Sequence, residues 1–231
     1  MKNILFLILV ATSCLLSYAE SFSFTYQGQT LWYKEIGNSK TCKVYAYKSH
    51  PIQGDLIIPP YATYNNVEYK VVEIGYRAFA NYGTEVTSVH LPYTITKIDE
   101  EAFQSTDLAS INIPNSVTEI GKNAFDLSKL KSIEIPASVR SIGDFALGSS
   151  FLNTIRFEDG DESLTLGTDI FDRPGTGVPL KSVYLGRNLV VEKSPFQSIR
   201  TIREVVIGEK VNAIIDHAFD GCISLESVTI L

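Results

Sequence analysis

Hydrophobic positions in this chain recur in one arrangement that is repeated along most of its length. Within residues 113–133 the apolar positions are Ile113, Val117, Ile120, Phe125, Leu130 and Ile133. The Ile-Pro start at Ile113 returns at Ile135, and the same arrangement follows it. A period of about 20 to 50 residues is typical of solenoids, in which each repeat is one coil of the chain. The repeat therefore predicts a solenoid that grows by stacking similar coils.

An apolar pair marks the same point in each repeat, and its second residue is usually phenylalanine. These residues, termed plug residues, are Phe79, Phe103, Phe125, Leu147, Phe171, Phe196 and Phe219. Their numbers show that the step from one to the next is nearly constant along the chain. Such regular steps predict about seven coils, the last one incomplete, with each plug side chain filling the far side of its coil.

Each repeat has the same internal order of extended and turning segments. Residues 130–135 alternate as a strand, and Pro136 then removes an amide where the ladder should stop. A shorter extended piece, residues 139–142, ends at Gly143, which we expect to adopt a conformation that β-branched residues resist. The plug residue is expected on a tight turn or a short 3₁₀ or helical piece. The predicted fold is a mostly β solenoid with thin coil backs.

The first part of the chain lacks the repeat and divides into two predicted segments. Residues 1–19 have a short positive start, a largely apolar stretch at residues 4–16 and a small-residue end, as in a cleaved secretory signal. The apolar stretch is too short to span a bilayer. Lipidation at Cys14 is the alternative. The signal predicts a secreted protein or one on the outer cell surface.

Residues 20–58 are predicted to form an N-terminal β-hairpin cap, and residues 59–231 the repeat array. The cap segment alternates polar and apolar residues in short runs joined by turn residues, which is typical of hairpins. Trp32, Tyr33 and Tyr45 would cover the first coil, and an aromatic sugar-binding platform is the alternative for them. The array reaches Leu231 without a polar closing coil, which suggests a fragment, a truncated reading frame or an end covered by a partner.

Composition and charge argue against nucleic acid as a partner. The chain has 231 residues, is 45% hydrophobic and carries a formal charge of −6. Removing residues 1–19 takes away one lysine, leaving 19 basic against 26 acidic residues and a charge of −7. Nucleic-acid binding needs clustered basic residues, so it is not expected. Cys42 and Cys222 lie near opposite ends of the array and are expected to be separate thiols.

Catalytic and metal-binding patterns are not found in the sequence, and no cofactor is expected. His50, His90 and His217 occur in unrelated contexts, so we expect no enzymatic activity. One irregular coil has additional residues between its core strands, and its acidic loop should protrude. Asp159 and Asp161 in this loop are a weak candidate for a Ca²⁺ site, because hard cations prefer oxygen ligands. A solvated acidic turn is the favoured alternative.

The candidate recognition surface comes from aligning the predicted strands in parallel. The outward residues at equivalent positions are His90, Asn112, Glu134, Arg156, Tyr184, Val206 and Thr229. Their chemical variety suits a recognition face, and Tyr184 is the best anchor because aromatic residues contribute strongly to interfaces. Glu134 and Arg156 are expected to pair across adjacent strands. The alternative for any one of these positions is an inert solvated face.

Two units, residues 113–133 and 211–228, resemble the BspA-like leucine-rich repeat of the LRR_5 type, as found in Bacteroidetes. The family pattern has roughly an Ile-Pro start, an Ile-Gly pair, an Ala-Phe pair and a final Leu and Ile, and unit 211–228 keeps the Ala-Phe pair and the closing Leu225 and Val228. The resemblance covers about residues 55–231. It implies a right-handed leucine-rich-repeat solenoid. It also implies a secreted or surface protein that binds host proteins, other cells or matrix. Leu147 departs from the pattern, and the family cysteine occurs only at Cys222.

Three functions are compatible with these observations. The first is an adhesion or protein-binding module whose partner is a host matrix or cell-surface protein. The second is a structural spacer or assembly subunit whose open C-terminal coil docks another protein. The third is a glycan-binding accessory protein that uses exposed tyrosines. None of the three requires a membrane span.

Overall fold

The computed structural model describes residues 21–45, 52–80, 85–148, 151–171 and 177–231. The strands are β1 (Ser21–Tyr26), β2 (Gln29–Glu35), β3 (Thr41–Tyr45), β4 (Gln53–Ile57), β5 (Tyr61–Tyr64), β6 (Val67–Ile74), β7 (Glu85–His90), β8 (Lys97–Ile98), β9 (Ser110–Asn112), β10 (Glu119–Ile120), β11 (Ser132–Ile135), β12 (Ser141–Ile142), β13 (Thr154–Phe157), β14 (Leu164–Leu166), β15 (Ser182–Leu185), β16 (Leu189–Val190), β17 (Glu204–Ile207) and β18 (Ser227–Ile230). The described residues include no helix that could cross a membrane. The predicted signal, with Cys14, and His50 lie outside the described residues.

The longer strand of each coil contributes to a strand face that runs along the solenoid. Strands β4, β7 and β9 form one parallel sheet, and β11, β13, β15, β17 and β18 form another. Side chains alternate between the two sides of a strand, so in β11 Ile133 and Ile135 are buried while Ser132 and Glu134 are exposed. The predicted parallel stacking is thereby confirmed.

The shorter strands form a second, back sheet on the opposite side of the core. Its order is β3, β6, β8, β10, β12, β14 and β16, with all of these neighbours parallel. Each coil therefore has one strand in the strand face and a two- or three-residue strand in the back sheet along β8 to β16. Ile113, Val117 and Ile120 are buried between them. The solenoid predicted from the repeat is confirmed, and its backs are extended.

The N-terminal strands extend the back sheet. Strand β2 pairs antiparallel with both β1 and β3, and β3 then pairs in parallel with β6. Tyr33 is fully buried, whereas Trp32 and Tyr45 are half-buried and lie opposite each other on β2 and β3. Strand β4 falls within residues 20–58 but joins the strand face by pairing with β7.

Plug residues stack through the core. The ring centroids of Phe79 and Phe103 are 5.4 Å apart, and those of Phe103 and Phe125 are 5.7 Å apart. Leu147 interrupts the aromatic column, which resumes with Phe171, Phe196 and Phe219. Offset aromatic stacking adds about 0.5–1.5 kcal/mol per pair beyond the burial of area. The column therefore links successive coils as well as filling each one.

The plug turns are tight turns, which was one of the two predicted alternatives. In six coils the residue two positions before the plug has positive φ, and these residues are Arg77, Glu101, Asn123, Phe145, Asp169 and His217. Such a conformation costs about 1 kcal/mol or more in a residue other than glycine. Bonds between coils offset it: the Asn123 amide donates to Asp144 O at 2.9 Å, and the Phe125 amide donates to Ala146 O at 2.9 Å.

Both cysteines of the described chain are buried free thiols, as predicted. Burial, followed by the charge of Glu35, raises the pKa of Cys42 to about 12. The Cys222 thiol donates to Phe196 O at 3.2 Å, and burial also raises its pKa. Both side chains serve the core as small apolar groups.

The expectation for Gly143 was wrong in its physical cause. In the described chain the glycines with positive φ are Gly28, Gly37, Gly54 and Gly221. Gly143 is instead required by space, because an added Cβ would lie 2.5 Å from the Lys122 amide nitrogen of the preceding coil. Equivalent glycines, Gly121 and Gly167, show the same 2.5 Å approach. These glycines let adjacent coils meet at hydrogen-bonding distance.

Replacing Gly143 with alanine should therefore destabilise the solenoid. We expect a loss of about 1–3 kcal/mol in the free energy of unfolding, because the new methyl group must displace backbone. Urea denaturation measures the change. Gly177→Ala is the matched control, since nothing lies within 4 Å of its added Cβ, and it should stay within about 0.5 kcal/mol. Equal denaturation midpoints for the two variants would contradict the packing role.

Candidate recognition surface

The predicted outward residues form columns on the strand face. His90 pairs with Asn112 in one sheet. In the other sheet Glu134 pairs with Arg156, Arg156 with Tyr184, Tyr184 with Val206 and Val206 with Thr229. The strand register is maintained across the irregular coil because its additional residues lie in loops between the strands. The alignment does not by itself make these positions a binding site.

Three members of the column are brought into direct contact. Arg156 Nε lies 3.0 Å from Glu134 Oε1, as the sequence suggested. The Arg156 guanidinium carbon lies 3.6 Å from the centroid of the Tyr184 ring, which is a close cation–π contact. An arginine held by both a carboxylate and an aromatic face has few alternative rotamers. The charge and the ring are therefore presented in one fixed arrangement.

Asp159 completes this group from the loop that follows β13. Its carboxylate accepts from the Tyr184 hydroxyl at 2.8 and 2.9 Å and from Arg156 at 3.1 Å. The bond to Asp159, followed by partial burial, raises the pKa of Tyr184. Glu134, Arg156, Asp159 and Tyr184 are termed the recognition cluster. Aligning the predicted strands of the chain identified Glu134, Arg156 and Tyr184 but did not connect them to Asp159.

The acidic loop forms a ridge beside the recognition cluster. This ridge comprises residues 158–163, and it is anchored at both ends. Glu158 Oε2 accepts from the Ala137 amide at 3.0 Å, and Asp161 accepts from Lys210 Nζ at 2.7 Å. One anchor is in the preceding coil and the other lies beyond β17. The ridge is thus a fixed wall along the strand face.

The two aspartates proposed as weak Ca²⁺ ligands have other partners. Asp159 is bound to Arg156 and Tyr184, while Asp161 is bound to Lys210. Across the described segments no group of three or more His, Cys, Asp or Glu side chains could hold a metal ion. A calcium cage needs converging oxygens, whereas these carboxylates diverge toward separate cationic and hydroxyl groups.

Two glycines make room for the ridge. An added Cβ at Gly208 would lie 2.6 Å from Asp159 Oδ1 and 2.8 Å from the Tyr184 hydroxyl. One at Gly186 would lie 2.5 Å from the Asp159 amide nitrogen. Each glycine follows a strand of the strand face directly, β15 or β17. That shared position is a signal from which the sequence could have indicated a close approach.

Arg187 is a fully buried arginine that sequence reasoning missed. Its guanidinium donates to Pro136 O at 2.8 Å, Ala137 O at 2.9 Å and Val139 O at 2.7 Å. Burial, followed by the nearby charge of Arg140, lowers its pKa to about 10. Backbone carbonyls are the hydrogen-bond acceptors for this charge, so it is held by dipoles rather than by a salt bridge.

Arg187 bridges the coil from which the ridge is extruded. It follows β15, whereas the carbonyls that it binds follow β11, two strands earlier in the strand face. Gly160 of the ridge passes close to it, since an added Cβ there would lie 3.5 Å from Arg187 Cδ. The arginine therefore occupies core space behind the ridge and donates to carbonyls of an earlier coil. We interpret it as a support for the ridge.

The two histidines within the described residues lie on different parts of the solenoid. His90 is exposed on the strand face, and His217 is exposed on the last plug turn, 4.0 Å from Asp220. His50 lies outside the described residues.

Comparison with known proteins identifies the repeat. The family model described as BspA type leucine rich repeat region matches residues 62–175 and 176–231, in six copies. No curated protein matches the chain.

Several solved structures are similar to this chain at low sequence identity. A T. pallidum leucine-rich repeat protein, TpLRR, is 22% identical, with 89% of this chain and 81% of that chain covered and a TM-score of 0.50. The pneumococcal vaccine antigen PcpA is 18% identical, with 90% and 70% covered and a TM-score of 0.46. A leucine-rich repeat protein from Bacteroides ovatus is 21% identical, with 87% and 75% covered and a TM-score of 0.32.

Removing the buried guanidinium should be costly. Arg187→Met leaves the Val139 carbonyl without its donor, whereas Pro136 O still accepts from the Val139 amide at 3.1 Å and Ala137 O still accepts from Arg140. An unpaired buried carbonyl costs about 1–3 kcal/mol, so we expect the free energy of unfolding to fall by about that amount in urea denaturation. Hydrogen exchange should accelerate at residues 158–163.

The matched control for this change is Arg140→Met. Arg140 donates to the same Ala137 carbonyl at 3.2 Å, but from an exposed position. Its loss should change stability by no more than about 0.5 kcal/mol. If the two methionine variants unfold alike, Arg187 does not support the ridge.

Titration of Tyr184 should report whether its hydroxyl is hydrogen-bonded to Asp159 of the ridge. In the folded chain the pKa of Tyr184 is raised, whereas in the unfolded chain it has its ordinary value near 10.0. The hydrogen bond from Tyr184 to Asp159 therefore contributes its full stability at pH values below the unfolded-state pKa. This contribution is lost as the pH rises through the folded-state pKa. Asp159→Asn should lower the Tyr184 pKa toward its ordinary value.

Absorbance of tyrosinate measures this shift, with Tyr184→Phe subtracted to isolate one residue among twelve tyrosines. Asp161→Asn is the control and should leave the Tyr184 transition in place. An unchanged transition in Asp159→Asn would argue against the hydrogen bond.

Proposed function

This chain belongs to the BspA type leucine-rich repeat family, and from that premise we propose that it is a protein-binding scaffold whose strand face engages a partner protein outside the cell. Leucine-rich repeats serve as scaffolds for protein interactions rather than as enzymes. The fold supports such a role because a stack of coils offers a long, rigid surface on which individual positions vary freely. Adhesion to a matrix or cell-surface protein is the specific form that we propose.

The observation that carries the proposal is the fixed arrangement of the recognition cluster. Tyr184 and Arg156 belong to the two residue types that are most enriched, with tryptophan, among interface hot spots. Both are half-buried on strands and held by Glu134 and Asp159, so little side-chain freedom remains to be lost on binding. A surface with side chains held in this way favours specific binding of a defined partner over non-specific binding.

The charge around the cluster indicates the character of the partner surface. The ridge and its surroundings expose Glu134, Asp159, Asp161 and Glu162, against Arg156 and Lys210 as the nearby cations. A complementary partner would present a basic patch with an acceptor or aromatic group opposite Arg156. Charge complementarity of this kind raises association rates and makes them sensitive to salt.

The proposed location is the cell exterior. The leader predicted at residues 1–19 supports secretion or display at the outer surface, with lipidation at Cys14 as the alternative form of attachment.

A glycan-binding role is the second candidate, and one observation favours it. Tyr93 is 69% exposed and Tyr61 is 37% exposed, and a hydrogen bond between their side chains raises the pKa of Tyr61. Flat, exposed aromatic rings suit the apolar faces of sugars. The two candidates are separable, because these tyrosines and the recognition cluster belong to different coils.

Binding to a panel of purified matrix proteins, such as collagen, laminin and fibronectin, tests the proposal. The full-length chain should bind at least one of them. Tyr184→Ala/Arg156→Ala should weaken that binding by at least about tenfold, because two hot-spot side chains are removed. Surface plasmon resonance measures the affinities.

The control is Tyr76→Ala/Arg200→Ala, which removes the same two residue types from exposed positions away from the strand face. It should bind within about twofold of the native chain. Equal affinities for the two double variants would contradict the strand-face site, and failure to bind any matrix protein would contradict the proposed partner. Binding only to a glycan array, abolished by Tyr93→Ala, would favour the second candidate.

A further inference from the structure

The N-terminal strands have an outward face whose side chains the core does not require. Along β2, Leu31 and Tyr33 are buried in the core. Side chains alternate between the two sides of a strand, so Trp32 and Lys34 lie on the opposite, outward side. Trp32 is half-buried there, and Lys34 is exposed.

Strand β3 repeats this order of an aromatic and a basic side chain. Its inward residues are buried, so Lys43 and Tyr45 point outward. The register places Tyr45 directly opposite Trp32 and Lys43 directly opposite Lys34. An aromatic pair therefore lies beside a lysine pair, two residues and about 7 Å along the strands. These four residues are termed the cap patch.

The lysine pair is not explained by stability. Like charges directly opposite each other on adjacent strands are destabilising. Lys43 is partly compensated, because its Nζ lies 3.6 Å from Glu73 Oε1 on β6. Lys34 has Ser21 on its other side and no carboxylate partner among the described residues. Its ammonium group is therefore available to an anion from outside the chain.

Further lysines make this end of the solenoid locally basic. Lys70 on β6 lies opposite Thr41, and its amide donates to Lys40 O at 2.9 Å, so both lysines adjoin the cap patch. The carboxylates on the same outward face of β6 are those of Glu68 and Glu73. The whole chain has a formal charge of −6, so the cluster of lysines runs against the overall charge. Charge complementarity here favours an anionic ligand.

Small hydroxyl side chains border the aromatic pair. Ser23 on β1 lies directly opposite Trp32. The hydroxyl groups of Thr25 and Thr30 lie 2.7 Å apart at the end of the hairpin. All three side chains are exposed, and a hydroxyl group can both donate and accept hydrogen bonds. The patch thus combines aromatic surface, hydroxyl groups and positive charge.

We propose that the cap patch binds a uronic-acid oligosaccharide, a chain of sugar rings that each bear a carboxylate. The C–H groups on one face of a sugar ring would pack on Trp32 and Tyr45, whose ring faces carry partial negative charge. The carboxylate would accept hydrogen bonds from Lys34 and Lys43, and ring hydroxyls would meet Ser23. A carboxylate between the two ammonium groups also removes their repulsion, so the ligand corrects the unfavourable feature of the patch.

The spacing of the patch separates this ligand from other anions. In a uronic acid the carboxylate is attached directly to the sugar ring, so ring and charge fit two rows that lie about 7 Å apart. A neutral sugar would leave the lysine pair uncompensated, and a phospholipid headgroup supplies charge without a rigid ring to pack on the aromatic pair. The patch continues the back sheet rather than the strand face, so the inference goes beyond the function proposed above.

Titration of the full-length chain with a galacturonate hexamer tests the proposal. Trp32 is the only tryptophan of the chain, so its fluorescence reports on the patch directly. We expect a saturable change in this fluorescence, with the affinity measured in parallel by calorimetry. Added NaCl should weaken binding, because charges are screened over about 10 Å at 0.1 M salt.

Lys34→Glu should weaken binding by at least about tenfold, because it places a carboxylate beside that of the ligand. It should leave the thermal midpoint unchanged or higher, since it replaces a like-charge pair with an opposite-charge pair. Lys122→Glu is the matched control, with the same charge change at an exposed position after β10, and it should bind within about twofold of the native chain.

The ligand has its own control in the methyl-esterified hexamer, which keeps the rings and loses the charge. It should bind at least about tenfold more weakly than the acid. Equal binding of ester and acid, equal affinities of the two lysine variants, or no binding would overturn the proposal. Tighter binding of heparin oligosaccharides or of phosphatidylglycerol vesicles would also overturn it, in favour of sulfated sugars or a membrane surface.

Two further variants separate this site from those proposed above. Tyr184→Ala/Arg156→Ala should bind the hexamer normally, so failure of the strand-face proposal would not affect this one. Trp32→Ala should weaken binding by about tenfold, because an aromatic contact is removed. Loss of binding in Tyr93→Ala with native affinity in Trp32→Ala would assign the sugar to the other tyrosines and contradict the cap patch.

Discussion

The structure depends on the close approach of successive backbones at the back of the solenoid. Adjacent coils can exchange hydrogen bonds there only if their chains lie at strand spacing, about 4.8 Å apart. At Gly143 this leaves 2.5 Å between a would-be Cβ and the preceding chain. The left-handed plug turns and the stacked rings follow from the same constraint, since each repeats at the separation that the backbone sets.

The plug turns show how a local cost is shared among coils. A single left-handed Asn123 or Phe145 would be unfavourable in an isolated turn. In the stack each of these residues also donates its amide to the next coil, Asn123 to Asp144 O and Phe145 to Thr168 O. The turn is thus stable only as a member of an array, which is consistent with nearest-neighbour stabilisation in repeat proteins.

Sequence reasoning reached the solenoid, its core and its strand register because these follow from periodicity. Ile133, Phe125 and the pairing of Glu134 with Arg156 were all predictable from spacing alone. Arg187 and the contact of Asp159 with Tyr184 were not, because they join distant parts of the sequence through a loop of irregular length. The role of Gly143 was misread because a close backbone approach and a positive φ both require glycine, and the sequence alone does not distinguish them.

The recognition cluster arises where one coil departs from this constraint. After β13 additional residues are extruded as the ridge, and Arg187 fills the space behind them. In the next two coils Glu192 and Ile215 occupy the position of Gly143, and the backbone of residues 191–194 has no inter-coil hydrogen bond within the described chain. Loss of the glycine is not sufficient for this opening, because Asp99 occupies the same position and its amide still donates to Ile74 O at 2.9 Å. An inserted loop, by contrast, adds side chains to a surface, and it therefore favours recognition of a folded partner through side chains.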